Sequence, residues 1–286
     1  MLDAVWHAVA RSIAHATGRP CDAQRTSSIG GGCINQGFRL LASEREFFVK
    51  LNAASMLPMF EAEAAGLEEI AATSSVRVPR PICVGCNGER AWLALEYLPL
   101  SAAEPRAMAL LGERLAAMHR VTQAQFGWTR DNTIGSTSQV NRQESDWTTF
   151  WGRHRLGYQL ELAYRNGHRG TLHEQGQMLL ERLGQLLGSH RPVASLLHGD
   201  LWGGNTAASA GDEPVIFDPA VYYGDREADL AMTHLFGGFR PSSTTRTSTR
   251  GHSRQATASG ASYTTCITSS TTLTCSVSVI CAAHRT

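Results

Sequence analysis

The chain has 286 residues, enough for one large domain or two lobes sharing a cleft. Its formal net charge of +1 comes without a basic run, and no apolar stretch reaches the ~18 residues of a membrane helix, so neither a nucleic-acid partner nor a membrane span is expected. Seven cysteines at scattered spacings, behind an N-terminus without the features of a signal peptide, point to a reducing cytoplasm.

In chain order, residues 1–18 read as an amphipathic helix. Residues 26–52 read as strand, glycine turn and strand, then a strand ending in Phe47-Phe48-Val49-Lys50-Leu51. Helical spacing of Phe60, Ala64, Leu67 and Ile70 predicts a helix over 57–72. Two strands follow, Arg80–Val84 and Ala91–Tyr97, joined by the turn Gly85-Cys86-Asn87-Gly88. A helix is expected over 106–119, a loop over 126–142 and long helices over 146–165 and 173–188. Residues 196–234 read as strand, loop, strand, loop and helix. A β-rich first part and a helical second part predict an α+β protein. Its expected units are an N-lobe over 1–98, a C-lobe over 99–239 and an aberrant segment over 240–286.

Lys50 is the only lysine in a chain whose other basic residues are arginines. A lone ammonium against that background suggests a need for a compact point charge, which a planar guanidinium does not supply. The strongest chemical pattern is His198-Gly199-Asp200-Leu201-Trp202-Gly203-Gly204-Asn205, followed by the apolar strand Val215-Ile216-Phe217 ending in Asp218. A carboxylate that takes a hydroxyl proton, with an amide and a second carboxylate to hold Mg²⁺ on ATP phosphates, is what phosphoryl transfer requires. Asp200 is therefore the candidate base, and Asn205 and Asp218 the candidate metal ligands.

These motifs resemble the fructosamine and ketosamine kinases, relatives of aminoglycoside and choline kinases with the bilobal protein-kinase-like fold. The resemblance rests on Leu197–Asn205, Phe217-Asp218-Pro219-Ala220 and Tyr223–Met232. Gly30-Gly31-Gly32-Cys33-Ile34-Asn35, Phe47–Lys50, Phe126-Gly127-Trp128, Asp131-Asn132, Ile134-Gly135-Ser136 and Trp147–Phe150 add to it. It implies that Lys50 contacts the ATP phosphates and is held by a helix glutamate. Glu63 fits best, with Glu61, Glu68 and Glu69 as rivals on the same helix. Gly30, Gly31 and Gly32 either fold over the phosphates or make a plain hairpin turn. Leu95, Glu96, Tyr97 and Leu98 match the hinge whose backbone would bond adenine.

Other residues keep two readings. Trp202 stacks on a sugar or packs internally. Asp225 is a candidate acceptor-site residue within the cluster Asp225-Arg226-Glu227, and Asp229 a candidate tether for the catalytic loop. Cys33 is a candidate redox-sensitive thiol or a small buried residue. Cys83-x-x-Cys86 has redox or zinc spacing but no second pair, and reads as structural. The resemblance implies phosphorylation of the 3-hydroxyl of a fructosamine or ribulosamine, small or protein-bound, using ATP and Mg²⁺. An antibiotic, choline or homoserine-type kinase, and an inactive nucleotide-binding product, are the alternatives.

Residues 240–286 contain no acidic side chain, and nearly half are serine or threonine. Joining the last base of each codon to the first two of the next turns Thr codons into Tyr, His, Asn or Asp, and TCN Ser codons into Phe, Leu, Ile or Val. Thr264–Ser276 then spells an apolar-periodic helix. A frameshift near Phe239-Arg240 is the expected cause, and a disordered or poorly packed tail the expected result. Resequencing that found this frame intact would reject it.

Overall fold

The computed structural model describes residues 4–30 and 34–235. The readings made for Gly31, Gly32, Cys33 and the tail lie outside the described residues.

Helix α1 (Ala4–Thr17) precedes three antiparallel strands, β1 (Ala23–Ile29), β2 (Gln36–Ala42) and β3 (Arg45–Ala53). Helix α2 (Leu57–Ala72) then leads to β4 (Pro81–Cys86) and β5 (Arg90–Glu96), and the sheet order is β1-β2-β3-β5-β4. Alternation along the strands decides what each face covers. Val49, Leu51, Trp92 and Ala94 pack with Trp6, Val9 and Ile13 of α1. Leu93 and Leu95 point the other way, onto Phe60, Leu67 and Ile70 of α2. Lys50 falls between Val49 and Leu51 and so faces α2.

Beyond Glu96 the chain runs extended until Ser101, which exchanges backbone hydrogen bonds of 2.9 Å with Ala208. Helix α3 (Pro105–Met118) follows, then β6 (Thr122–Gln123) and a small hairpin, β7 (Asn132–Ile134) with β8 (Thr137–Gln139). The hairpin stands where sequence periodicity predicts a loop. The strands are three residues long and mostly polar, so no apolar alternation announces them. Their stability comes from buried amides described below.

The expected helix over 146–165 is three pieces in a row: α4 (Trp147–Trp151), a wider π turn over Gly152–Gly157 and α5 (Tyr158–Arg165). Helix α6 (Thr171–Leu187) leads to β9 (Ala194–Leu197), β10 (Thr206–Ser209), β11 (Glu213–Ile216), β12 (Tyr222–Gly224) and α7 (Glu227–Met232). One apolar core joins both parts, running from Leu67 and Leu95 through Leu115 and Phe150 to Leu197, Ile216 and Val221. A parallel bridge between Arg77 and Val215 adds a second backbone tie between the sheet side and the helical side. The expected boundary at residue 98 falls in the extended connection between β5 and α3.

Candidate active site

The His198–Asn205 motif lies between β9 and β10, and Asp218 lies just after β11. His198 heads the loop and is fully buried. Its Nε2 sits 3.0 Å from the Phe217 carbonyl, while Nδ1 accepts the Asp200 N–H at 3.3 Å. A neutral ring protonated at Nε2 satisfies both contacts. Burial, the largest influence, pushes its pKa below the ordinary histidine value and favours that form. His198 thus stitches the loop to the strand that delivers Asp218.

Asp229 of α7 is buried beneath the loop. One oxygen accepts the His198 N–H at 2.8 Å and lies 3.0 Å from His119 Nε2; the other accepts the Gly199 N–H at 2.9 Å. Burial alone would raise this carboxyl's pKa. The His119 bond and charge, with the Gly199 N–H, outweigh it and hold the group below its ordinary range. The expected tether is therefore present as geometry, and its partner His119, far off in sequence, was not foreseen.

Gly199 has φ of 81°, and a Cβ placed there would lie 2.0 Å from the Ala220 carbonyl oxygen. Only glycine allows the loop to approach the Asp218-Pro219-Ala220 segment this closely. The Ala220 N–H donates back to the His198 carbonyl at 2.8 Å.

Asn205 is buried and donates from Nδ2 to the Asp200 carbonyl at 2.8 Å and to Asp200 Oδ2 at 3.1 Å. Its backbone oxygen accepts the Phe217 N–H at 3.1 Å, which brings Asp218 alongside. Asp218 itself has φ of 58°, a left-handed conformation costing a non-glycine residue ~1 kcal/mol. Its carboxylate side chain is 45% exposed and accepts from Lys50 Nζ at 2.7 Å. Lys50 also donates to Glu63 at 2.5 Å. Burial would lower the Lys50 pKa, but the Asp218 and Glu63 carboxylates outweigh it and keep the ammonium charged. Burial raises the pKa of Glu63, with Lys50 opposing.

Among the rival glutamates, Glu61 and Glu68 are exposed, and Glu69 accepts from the Tyr223 hydroxyl at 2.7 Å. Glu63 is the one joined to Lys50. Contacts thus join Glu63, Lys50 and Asp218 on one side and Asn205 and Asp200 on the other, and the Phe217 N–H bond to the Asn205 carbonyl links the two sets, five residues from four separate segments.

Asn205 Oδ1 and the Asp218 carboxylate are hard oxygen donors, suited to Mg²⁺ that arrives with nucleotide phosphates. Among the described residues no group of three or more His, Cys, Asp and Glu could hold a metal alone. That donor set fits an ion shared with a polyphosphate better than a resident metal cage.

The remaining candidates are placed as follows. Leu95 is buried at the end of β5, and the Glu96 carboxylate accepts from the Arg80 N–H at 2.6 Å and from Arg77 at 2.7 Å. Tyr97 lies under the Arg39 guanidinium at 4.7 Å, and Leu98 is half-buried on the extended connection. Gly30 is exposed at the end of β1, with open space around its Cα. Trp202 lies across Gly204, where a Cβ would meet the indole at 2.2 Å, so it packs on its own loop. Asp225 is buried, accepting from His190 Nε2 at 2.6 Å and from the Glu227 N–H at 3.1 Å at the start of α7. Cys83 is half-buried, its pKa pushed up to about 12 by burial, and Cys86 is exposed. Their spacing on a strand turns the two thiols to opposite faces.

A model of the fructosamine kinase family matches residues 5–245. The chain belongs to the fructosamine kinase family. It is 48% identical over 237 residues to the protein named "Probable ketoamine kinase slr1563" of Synechocystis sp., covering 82% of this chain and 79% of that protein. It is 40% identical over 223 residues to "Protein-ribulosamine 3-kinase, chloroplastic" of Arabidopsis thaliana, covering 77% and 68% of the two chains. A crystal structure from Haemophilus somnus 129PT, assigned as a fructosamine-3-kinase, superposes with a TM-score of 0.87 at 24% identity, covering 98% of this chain and 90% of that one. The expected α+β, bilobal, kinase-like fold is the one this family member adopts.

Proposed function

We propose that this chain is an ATP-dependent kinase that phosphorylates the 3-hydroxyl of ketosamines, both fructosamines and ribulosamines, small or protein-bound. The observation that carries the proposal is the array of Glu63, Lys50 and Asp218 beside Asn205 and Asp200, joined through the Phe217 backbone, set in a chain of the fructosamine kinase family. The names of the relatives support the ketosamine as acceptor.

In this reading Asp200 accepts the proton of the attacking hydroxyl. The acceptor oxygen bonds to the γ-phosphorus, the bond to the bridging oxygen breaks, and ADP leaves. Lys50 holds the phosphates as a point charge, while Glu63 fixes the ammonium from behind. Asn205 and Asp218 would hold Mg²⁺, which neutralises phosphate charge when bound. Lys50 bonds to Asp218 in this structure, so nucleotide binding exchanges that contact for phosphate oxygens. Gly30 with Gly31 and Gly32 would cover the phosphates, and the backbone of Glu96–Leu98 would take the adenine. Scattered cysteines, which suit a reducing compartment, support placing the protein in the cytoplasm.

The test is ADP release from ATP with a synthetic ribulosamine and a synthetic fructosamine, with product analysed for phosphate at O3. Asp200→Asn should lose at least ~100-fold in kcat, the usual worth of a positioned base. Absence of transfer to either ketosamine, with intact folding, would reject the proposal.

A further inference from the structure

Behind the strand that follows Asp218 lies a buried set of side chains with no part in the array above. Asn132 and Gln139, both buried, belong to the β7–β8 hairpin; Asn141 follows it, and Arg155 sits in the π turn. Arg155 is 6% exposed and stacks on Tyr222 at 4.1 Å and Phe150 at 4.6 Å. It donates to the Val140 carbonyl at 2.6 Å and to Asn141 Oδ1 at 2.7 Å. Asn141 Nδ2 donates to Asn132 Oδ1 at 3.0 Å. Asn132 Nδ2 then donates to the Val221 carbonyl at 2.8 Å. Gln139 Nε2 donates to Asn132 Oδ1 at 2.9 Å and to the Ala220 carbonyl at 3.1 Å.

Two lines of donors meet at Asn132 Oδ1: one runs from the buried Arg155 through Asn141, the other comes from Gln139, and the two amides end on successive carbonyls, Gln139 on Ala220 and Asn132 on Val221. These are the residues that close on the catalytic loop: the Ala220 carbonyl abuts Gly199, and its N–H reaches His198. They also stand two and three residues beyond Asp218, whose left-handed backbone needs support from its surroundings. A buried carbonyl with its donor removed costs about 1–3 kcal/mol, so this segment has reason to move if an amide is lost.

We propose that Asn132 and Gln139 are positioning residues for the metal-binding segment, setting the place of Asp218 through the Ala220 and Val221 carbonyls. The inference rests on Asp218 being a ligand of nucleotide-bound Mg²⁺. The amides touch neither nucleotide nor metal; their effect passes through three residues of backbone.

The test uses the full chain and a fluorescent ATP analogue, with affinity measured with and without Mg²⁺. Asp218→Asn tests the underlying reading and should abolish the gain in affinity that Mg²⁺ gives. Gln139→Met keeps the side-chain volume and removes the amide; it should reduce that gain roughly five- to tenfold, the worth of the bond to the Ala220 carbonyl, while metal-free affinity stays put. Asn132→Asp, which sets a carboxylate against the Val221 carbonyl, should reduce it further. Gln159→Met, a buried amide outside the chain of donors, should change neither affinity. If Gln139→Met weakens binding equally with and without Mg²⁺, or changes neither, the amides are structural and the inference fails. If Asp218→Asn keeps the Mg²⁺ gain, the underlying reading fails instead.

Discussion

Replacing Asp229 with asparagine preserves shape and removes the charge beneath the His198–Asn205 loop. The carboxylate serves three partners: the His198 and Gly199 N–H groups at 2.8 and 2.9 Å, and His119 at 3.0 Å. An asparagine oxygen can keep the pair His119 and His198. Its NH₂ must then face the Gly199 N–H, donor against donor. Loss of charge assistance is worth ~1.5–3 kcal/mol, and an unsatisfied buried N–H adds ~1–3 kcal/mol. The sum, roughly 2.5–6 kcal/mol, is a large share of a typical ~5–15 kcal/mol stability. For a chain of this size it corresponds to a fall in Tm of roughly 5–24 °C, readable by calorimetry. The folded carboxyl has a lowered pKa, so its contribution is full above the unfolded value and is lost as pH falls through the folded one. The gap between wild type and Asp229→Asn should therefore close as pH drops below about 4. A fall in Tm under ~4 °C at neutral pH, or a gap independent of pH, would refute the reasoning.

Three further outcomes are expected. Gly199→Ala forces a Cβ to 2.0 Å from the Ala220 oxygen at positive φ, so it should destabilise by more than ~2 kcal/mol in a urea titration and abolish transfer. Lys50→Arg cannot fit a planar guanidinium between carboxylates 2.5 and 2.7 Å from the present ammonium, and kcat/KM for ATP should fall at least ~100-fold in steady-state assays. His190 has a raised pKa, chiefly from its bond to Asp225, so the pair stabilises fully below the ordinary histidine value and loses its contribution as pH rises through the folded one. His190→Gln should thus cost most near pH 5–6, and urea midpoints of the two proteins should converge at alkaline pH.

Much of the candidate site was legible because its chemistry is written in short local patterns. The spacing from His198 to Asn205 fits one loop, Asp218 ends an apolar strand, and a lone lysine sits in a strand that reads clearly from Phe47 to Leu51. What local pattern could not give was the choice among equivalent partners. Helix α2 offers four glutamates, and only the packing of β3 against α2 selects Glu63 and sends Glu69 to Tyr223. The β7–β8 hairpin was missed because buried amides, not apolar alternation, hold it. The π turn was missed because a widened turn keeps the apolar pattern of an ordinary helix nearly unchanged.

The sequence alone supplied the candidate groups for phosphoryl transfer and the strand, helix or loop on which each stands, since strand and helix periods follow from side-chain pattern. The tertiary structure alone decided how they are held. His119 reaches Asp229 across 110 residues, and Arg155 is linked through Asn141 and Asn132 to the Val221 carbonyl beyond Asp218. Such bonds join polar groups that carry no periodic signal. They become strong, and specific, only where folding removes the water that would otherwise compete for them.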